Sequence, residues 1–214
     1  FAGGSRIYSE MNSVPATPGQ VEMALAFLDN EQGGGGTRLT PALRLALDLQ
    51  RCEAGLSRSV VIITDGYISA ETETFDMIRA HLDEANVFAF GVGSSVNRFL
   101  IEGIARAGQG EPMVVTSQAE AAERAERFRQ YIASPVLTQV AVDFQGFDAY
   151  DVEPVSIADV LAERPVIVYG KYRGAPQGTI RLRGYTAAGE YQARCDVAKA
   201  VPDADNGALR YLWA

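Results

Sequence analysis

A hydroxyl and a carboxylate stand at two positions where the chain could present them to a metal ion. Thr37 follows four glycines at residues 33–36, and Asp65 follows the apolar run of residues 60–64. Glycines give a loop conformations that other residues resist, so this loop could bring Thr37 towards Asp65. Hydroxyl and carboxylate oxygens suit Mg²⁺, Ca²⁺ or Mn²⁺ and suit zinc poorly. The pair predicts a site for a hard divalent cation, with an ordinary turn and an ordinary helix start as the alternative.

Helix and strand patterns alternate along the first two thirds of the chain. Thr17 and Thr40 are each followed by proline, which predicts two helix starts with threonine as the N-cap. Continuous apolar runs at residues 60–64 and 87–92 predict strands that are covered on both faces. This alternation predicts an α/β fold with a doubly wound, mostly parallel sheet. Ligands of such sheets bind beyond the carboxyl ends of the strands, where Asp65 would lie.

The pattern changes at Pro135. After it, apolar and polar residues alternate in short runs that are separated by glycine, proline and aspartate. Such runs predict an antiparallel sheet or a sandwich. We therefore predict two domains, an α/β domain at residues 1–134 and a smaller β-rich, sandwich-like domain at residues 135–214. Within the second, Cys195 alternates with Tyr191, Ala193 and Val197, which predicts a thiol that faces the core.

Several classes of protein find little support in the sequence. Gly91 and Gly93 begin a dinucleotide fingerprint, but Val96 stands where the third glycine should be. No Gly-Lys-Ser/Thr follows the glycine loop, and the chain has a single histidine and no Gly-x-Ser-x-Gly elbow. The sequence therefore predicts that the chain is not an enzyme.

Charge and hydrophobicity limit the partners. The formal net charge of −8 disfavours nucleic acid and anionic membranes as partners. No apolar run approaches the roughly 20 residues of a membrane-spanning helix, and no signal peptide is visible in this segment. The two cysteines, Cys52 and Cys195, form no CxxC pair, which disfavours a zinc ribbon and thioredoxin-type redox chemistry.

Several motifs taken together resemble a known family. Gly-Gly-Thr before a helix, the strand that ends in Thr-Asp-Gly at residues 64–66, and Phe-Ala-Phe-Gly-Val-Gly at residues 88–93 resemble a von Willebrand factor type A domain. Further stretches are similar to the type A domain, and to the part that follows it, in bacterial proteins related to inter-alpha-trypsin inhibitor heavy chains: residues 94–111, 135–138, 164–174 and 209–214.

The resemblance implies a metal-ion-dependent adhesion site. In the family, this site takes an Asp-x-Ser-x-Ser loop, a threonine and an aspartate; Thr37 matches the threonine and Asp65 the aspartate. The resemblance implies a divalent cation, Mg²⁺ first and Ca²⁺ or Mn²⁺ as alternatives, that captures an acidic side chain of a protein or matrix ligand. It also implies an exported or cell-surface protein. The alternative is a structural, scaffolding type A domain without a functional metal site.

The Asp-x-Ser-x-Ser loop has no counterpart in these residues. By resemblance, residues 1–9 are the tail of the family's second strand and an edge strand near Tyr8, and the first strand and helix would precede Phe1. We therefore expect an incomplete site with weak or absent metal binding in this segment. We also expect residues 60–64 to expose the backbone groups of one strand edge, so that the segment alone is unstable or borrows a strand.

Overall fold

A computed structural model describes most of the chain. The described residues are 6–9, 12–31, 38–50, 56–65, 71–94, 96–162, 165–201, 203 and 206–207. Thr37, the glycines at residues 33–36, Gly66 and Cys52 lie outside them.

The described part contains five α-helices and nine strands. The first part holds, in chain order, α1 (Pro18–Asp29), α2 (Leu39–Asp48), β1 (Ser59–Thr64), α3 (Glu71–Ala80), β2 (Asn86–Val92), α4 (Arg98–Ala107), β3 (Met113–Val115) and α5 (Gln118–Ile132). Six strands follow, and they are β4 (Pro135–Gln145), β5 (Asp148–Glu153), β6 (Val160–Leu161), β7 (Tyr169–Arg173), β8 (Thr179–Thr186) and β9 (Gly189–Asp196). A short 3₁₀ helix, Val197–Lys199, comes after β9. The change from alternating helices and strands to strands alone falls at Pro135.

β1, β2 and β3 form a parallel sheet, as predicted, and the structure gives their order as β1-β2-β3. Side chains alternate across its two faces because successive residues of a strand point to opposite sides. Val87 and Ala89 face a core built largely from α2, α3 and α4, which includes Leu43, Ile78 and Ile104. The opposite face is covered by α5: Phe128 packs against Phe88 and Phe90, with ring centroids 5.0 and 5.2 Å apart. Helices therefore pack against both faces of the sheet.

β1 departs from the prediction of a strand that is covered on both faces. Val61 is paired with Phe88 and Ile63 with Phe90, so both belong to the face that α5 covers. The helix extends over β2 and not over β1, since Val61 is 39% and Ile63 61% exposed. In the described part of the chain β1 pairs only with β2, which leaves its other edge without a neighbouring strand.

The N-terminal residues confirm one prediction and contradict another. Thr17 caps α1 as predicted, because its hydroxyl accepts a hydrogen bond from the backbone N–H of Gln20 at 3.3 Å. The predicted edge strand near Tyr8 is wrong, since residues 6–9 form no strand. The apolar side chains of α1 are largely exposed, with Leu28 at 64%, because no described element covers them.

The strands after Pro135 form two antiparallel sheets. One has the order β6-β4-β8-β9, and the other pairs β5 with β7. A small core of Leu137, Val140 and Ile157 packs with Val142 and Leu182 of the four-stranded sheet. The prediction of a core-facing Cys195 is wrong: the thiol is free and exposed, because β9 is the last strand of its sheet and no described layer covers that side.

The segment of residues 156–159 joins the strand-only part to the parallel sheet. Ala158 is buried in the same core as Ile78 and Leu82. The Ser156 hydroxyl accepts a hydrogen bond from the backbone N–H of Asp83 at 2.9 Å and donates one to its carboxylate at 3.1 Å. We call residues 156–159 the junction segment.

Candidate functional site

The predicted cation site maps to the carboxyl end of β1. The strand ends at Thr64, which is buried, and the next residue, Asp65, is exposed. Because β1, β2 and β3 run parallel, their carboxyl ends lie at one edge of the sheet, which is the usual ligand-binding edge of such folds. The structure therefore places Asp65 where the sequence predicts it. Thr37 lies outside the described residues, so its distance from Asp65 stays a prediction.

A buried pair of threonine hydroxyls connects α2 and α3. The Oγ1 atoms of Thr40 and Thr74 are 2.9 Å apart, and the two residues are 6% and 0% exposed. Thr40 belongs to the first turn of α2, which starts two residues after Thr37, and Thr74 belongs to the first turn of α3. The pair fixes the starts of the two helices that follow the candidate ligands.

The predicted N-cap role of Thr40 is wrong. The helix begins two residues earlier than predicted, at Leu39, and Arg38 occupies the N-cap position without a side-chain cap bond. Thr40 instead shares the buried face of α2 with Leu43 and Leu47. That i, i+3, i+7 spacing was visible in the sequence and could have identified Thr40 as a core-facing residue.

We expect Thr40→Val to lower the free energy of unfolding by about 1 kcal/mol, because it removes one hydrogen bond between buried hydroxyls. A double-mutant cycle with Thr74→Val, measured by urea denaturation of the full-length protein, should give a coupling energy of about 0.5–1.5 kcal/mol. The matched control is Thr72→Val, on the exposed side of α3, with an expected change within about 0.5 kcal/mol. Additive effects of Thr40→Val and Thr74→Val would contradict a direct interaction.

The two glycines at the end of β2, Gly91 and Gly93, each have a structural role. A Cβ atom at Gly91 would overlap the side chain of Val96, so glycine is required for this close approach. Gly93 has a φ of +107°, a conformation that side chains disfavour, and its N–H donates to the carbonyl of Val115 at 2.9 Å. The glycine motif therefore shapes the turn after β2 and connects it to β3.

Asp65 fits the chemistry of a hard cation, since it offers an exposed carboxylate at a sheet edge. Among the described residues no group of three or more His, Cys, Asp or Glu side chains could hold a metal ion. Thr37, which lies outside the described residues, is the further ligand that the sequence predicts for a cation at Asp65. In the same described part, no helix combines the length and apolarity that a bilayer crossing requires.

Comparisons with known proteins agree with this architecture. Residues 9–112 match the family model for the von Willebrand factor type A domain. A von Willebrand factor A domain-containing protein of Dictyostelium discoideum is 24% identical over 187 residues, which cover 84% of this chain and 22% of that protein. The von Willebrand factor A domain-containing protein 5B1 of Mus musculus is 24% identical over 169 residues, which cover 78% of this chain and 13% of that protein. This chain therefore spans about a fifth or less of the length of these relatives.

A solved structure extends the comparison to the fold. The von Willebrand factor type A structure from Catenulispora acidiphila aligns with a TM-score of 0.62 at 17% identity, over 92% of this chain and 55% of that one. The fold is thus the α/β fold of the type A domain, with a three-stranded parallel sheet and further antiparallel sheets. The match over residues 9–112, the relatives and the shared fold together support a von Willebrand factor type A domain in this part of the chain.

Proposed function

We propose that this chain belongs to a cation-dependent protein-binding module. Type A domains are generally protein-interaction modules, and the observation that carries the proposal is the exposed Asp65 at the carboxyl end of β1. Asp65 and Thr37 would be two ligands of a divalent cation, Mg²⁺ first and Ca²⁺ or Mn²⁺ as alternatives. The remaining ligands would come from an Asp-x-Ser-x-Ser loop, which these residues do not contain.

The cation would supply an open coordination position for a partner's carboxylate. A hard cation prefers oxygen ligands, so an acidic side chain of a protein or matrix ligand is the group that this position would accept. The proposal includes an exported or cell-surface setting and a relation to inter-alpha-trypsin inhibitor heavy chain-like bacterial proteins. It assigns the chain no catalytic role.

The experiment is a Mg²⁺ titration of the full-length protein and of its Asp65→Ala variant by calorimetry. We expect the variant to bind Mg²⁺ more than about tenfold more weakly, because even residues that only support metal ligands change affinity by 10–100-fold. Thr37→Val should also weaken binding. The matched control is Asp29→Ala, an exposed aspartate at the end of α1, which should leave the affinity unchanged. Equal Mg²⁺ affinity of the wild-type protein and Asp65→Ala would remove Asp65 from the site.

The alternative function is a scaffold in which the type A fold holds no functional cation. The observation behind it is that residues 1–214 contain no Asp-x-Ser-x-Ser sequence. The sequence of the parent protein discriminates between the two functions. An intact Asp-x-Ser-x-Ser loop supports adhesion, and its loss supports a scaffold.

A further inference from the structure

A second concave site lies on the antiparallel sheet, and neither the family match nor the predicted cation site accounts for it. It is a cavity of about 420 Å³ whose lining comes from β4, β8 and β9. We call it the sheet cavity. Its volume falls in the range of about 300–1,000 Å³ that is typical of small-molecule sites.

Strand register places its main side chains on one face. Arg183 pairs with Ala141 on β4 and with Gln192 on β9, and Tyr185 pairs with Glu190. Residues that are directly opposite, or two apart along a strand, share a face. The neighbouring residue Leu182 points the other way and packs against the small core. The cavity therefore presents a guanidinium, an amide, a carboxylate and a phenol ring together on the side of the sheet away from that core.

The charges of the sheet cavity balance. Among its lining residues Arg183 is cationic and Glu190 is anionic, so the lining carries no formal net charge. The Arg183 Nη2 atom lies 2.8 Å from the Oδ2 atom of Asp143, a carboxylate that also pairs with Arg181 at 3.2 Å. Glu190 adds an acceptor that would repel an anion, and Arg183 would repel a cation. A phosphate or a metal ion is therefore a poor match, and a neutral ligand is favoured.

Hydrogen-bonding capacity narrows the ligand class further. The Gln192 amide both donates and accepts, the guanidinium donates, and the Glu190 carboxylate accepts. A ligand that matches this mixture needs groups that donate and accept at neighbouring positions, and the hydroxyls of a sugar do both. The ring of Tyr185 adds an apolar surface with a polar tip, which suits the C–H face of a sugar ring.

The backbone at one end of the cavity is strained. Gln139, which also lines the cavity, has a φ of +50° and lies where the register of β4 and β8 shifts. Its N–H donates to the buried carboxylate of Asp159 at 2.9 Å. Bulges of this kind redirect side chains, and non-glycine residues at positive φ persist only where their surroundings hold them. The buried contact with Asp159 thus holds Gln139 in place at the cavity.

We propose that the sheet cavity binds a neutral saccharide. Gln192, Glu190 and Arg183 hydrogen-bond its hydroxyls, Tyr185 contacts its ring, and Gln139 closes one end. This binding is independent of the cation at Asp65.

The test is calorimetric titration of the full-length protein with neutral trisaccharides built from glucose, mannose or N-acetylglucosamine. At least one should bind, and Gln192→Ala should weaken that binding about three- to tenfold, as expected for the loss of one or two hydrogen bonds. Gln192 is exposed, so the variant should fold normally. The matched control, Gln177→Ala, removes an exposed glutamine outside the cavity and should leave the affinity unchanged.

Three controls separate this site from others. Asp65→Ala and removal of divalent cations should not change saccharide binding, and inorganic phosphate should not compete with it. Failure of all three trisaccharides to bind would overturn the proposal. Equal affinities of Gln192→Ala and Gln177→Ala, or competition by phosphate, would overturn it as well.

Discussion

Replacing Asp159 with alanine should lower the stability of the protein by about 2–4 kcal/mol, because buried donors that lose their acceptor cost about 1–3 kcal/mol each. The Asp159 carboxylate accepts three hydrogen bonds: from the Ser57 hydroxyl at 2.7 Å, from the Asn86 side-chain amide at 2.9 Å and from the backbone N–H of Gln139 at 2.9 Å. The residue is 5% exposed, so water does not readily replace the lost acceptor.

The loss of stability should reach both parts of the chain that the junction segment connects, the parallel sheet and β4. Asn86 is the first residue of β2 and pairs with Ser59, the first residue of β1. Its side-chain carbonyl accepts a hydrogen bond from the backbone N–H of Asp159 at 3.2 Å, so each residue both donates to and accepts from the other. Asp159 therefore connects the amino ends of β1 and β2 to the bulge of β4. Asp65 lies at the opposite, carboxyl end of β1.

Hydrogen exchange followed by mass spectrometry on the full-length protein measures this prediction. In Asp159→Ala the amides at the starts of β1 and β2 and around Gln139 should exchange roughly 30- to 1,000-fold faster, which corresponds to about 2–4 kcal/mol. The control is Asp148→Ala, an exposed aspartate of β5, with an expected change within about 0.5 kcal/mol. Faster exchange on only one side of the junction would show that Asp159 does not couple the two parts.

The sequence predicted the features that depend on local pattern. The apolar run of residues 60–64 followed by Asp-Gly was enough to place Asp65 at the carboxyl end of a parallel strand. Thr17 before a proline was enough to place a helix start. In both cases the determining forces act between residues that are close in the chain: strand alternation, turn geometry and capping.

The predictions that were wrong depend on contacts between distant parts of the chain. The Thr-Pro signal at Thr40 matched a cap, but its hydroxyl bonds Thr74, 34 residues away. The alternation around Cys195 identified a face of β9 and could not show whether another layer covers it. The same limit applies to Ile63, whose apolar neighbours suggested burial. Asp159 gave no local signal, because its three donors lie far along the chain.

The 214-residue chain expressed alone should not behave as a stable monomer. We expect it to associate with other copies or to have a low melting temperature. β1 has one unpaired edge in the described part, and its six residues, Ser-Val-Val-Ile-Ile-Thr, carry no charge. Uncharged edges rich in β-branched residues pair readily with other strands, and native proteins cover or charge them. Ile63, at 61% exposure, adds an apolar surface beside that edge.

Ile63→Lys tests this explanation, because a charge beside the edge disfavours the approach of a second strand. Sedimentation velocity of residues 1–214 should show a concentration-dependent increase in mass for the wild-type chain and a clear decrease in association for Ile63→Lys. The matched control is Ile167→Lys, at 58% exposure and outside any strand, which should leave association unchanged. A monomeric wild-type chain with a single cooperative thermal transition would contradict the prediction. Equal effects of the two lysine substitutions would show that general charge, and not the edge of β1, controls association. The comparison of the two variants therefore tests whether the chains associate through the open edge of β1.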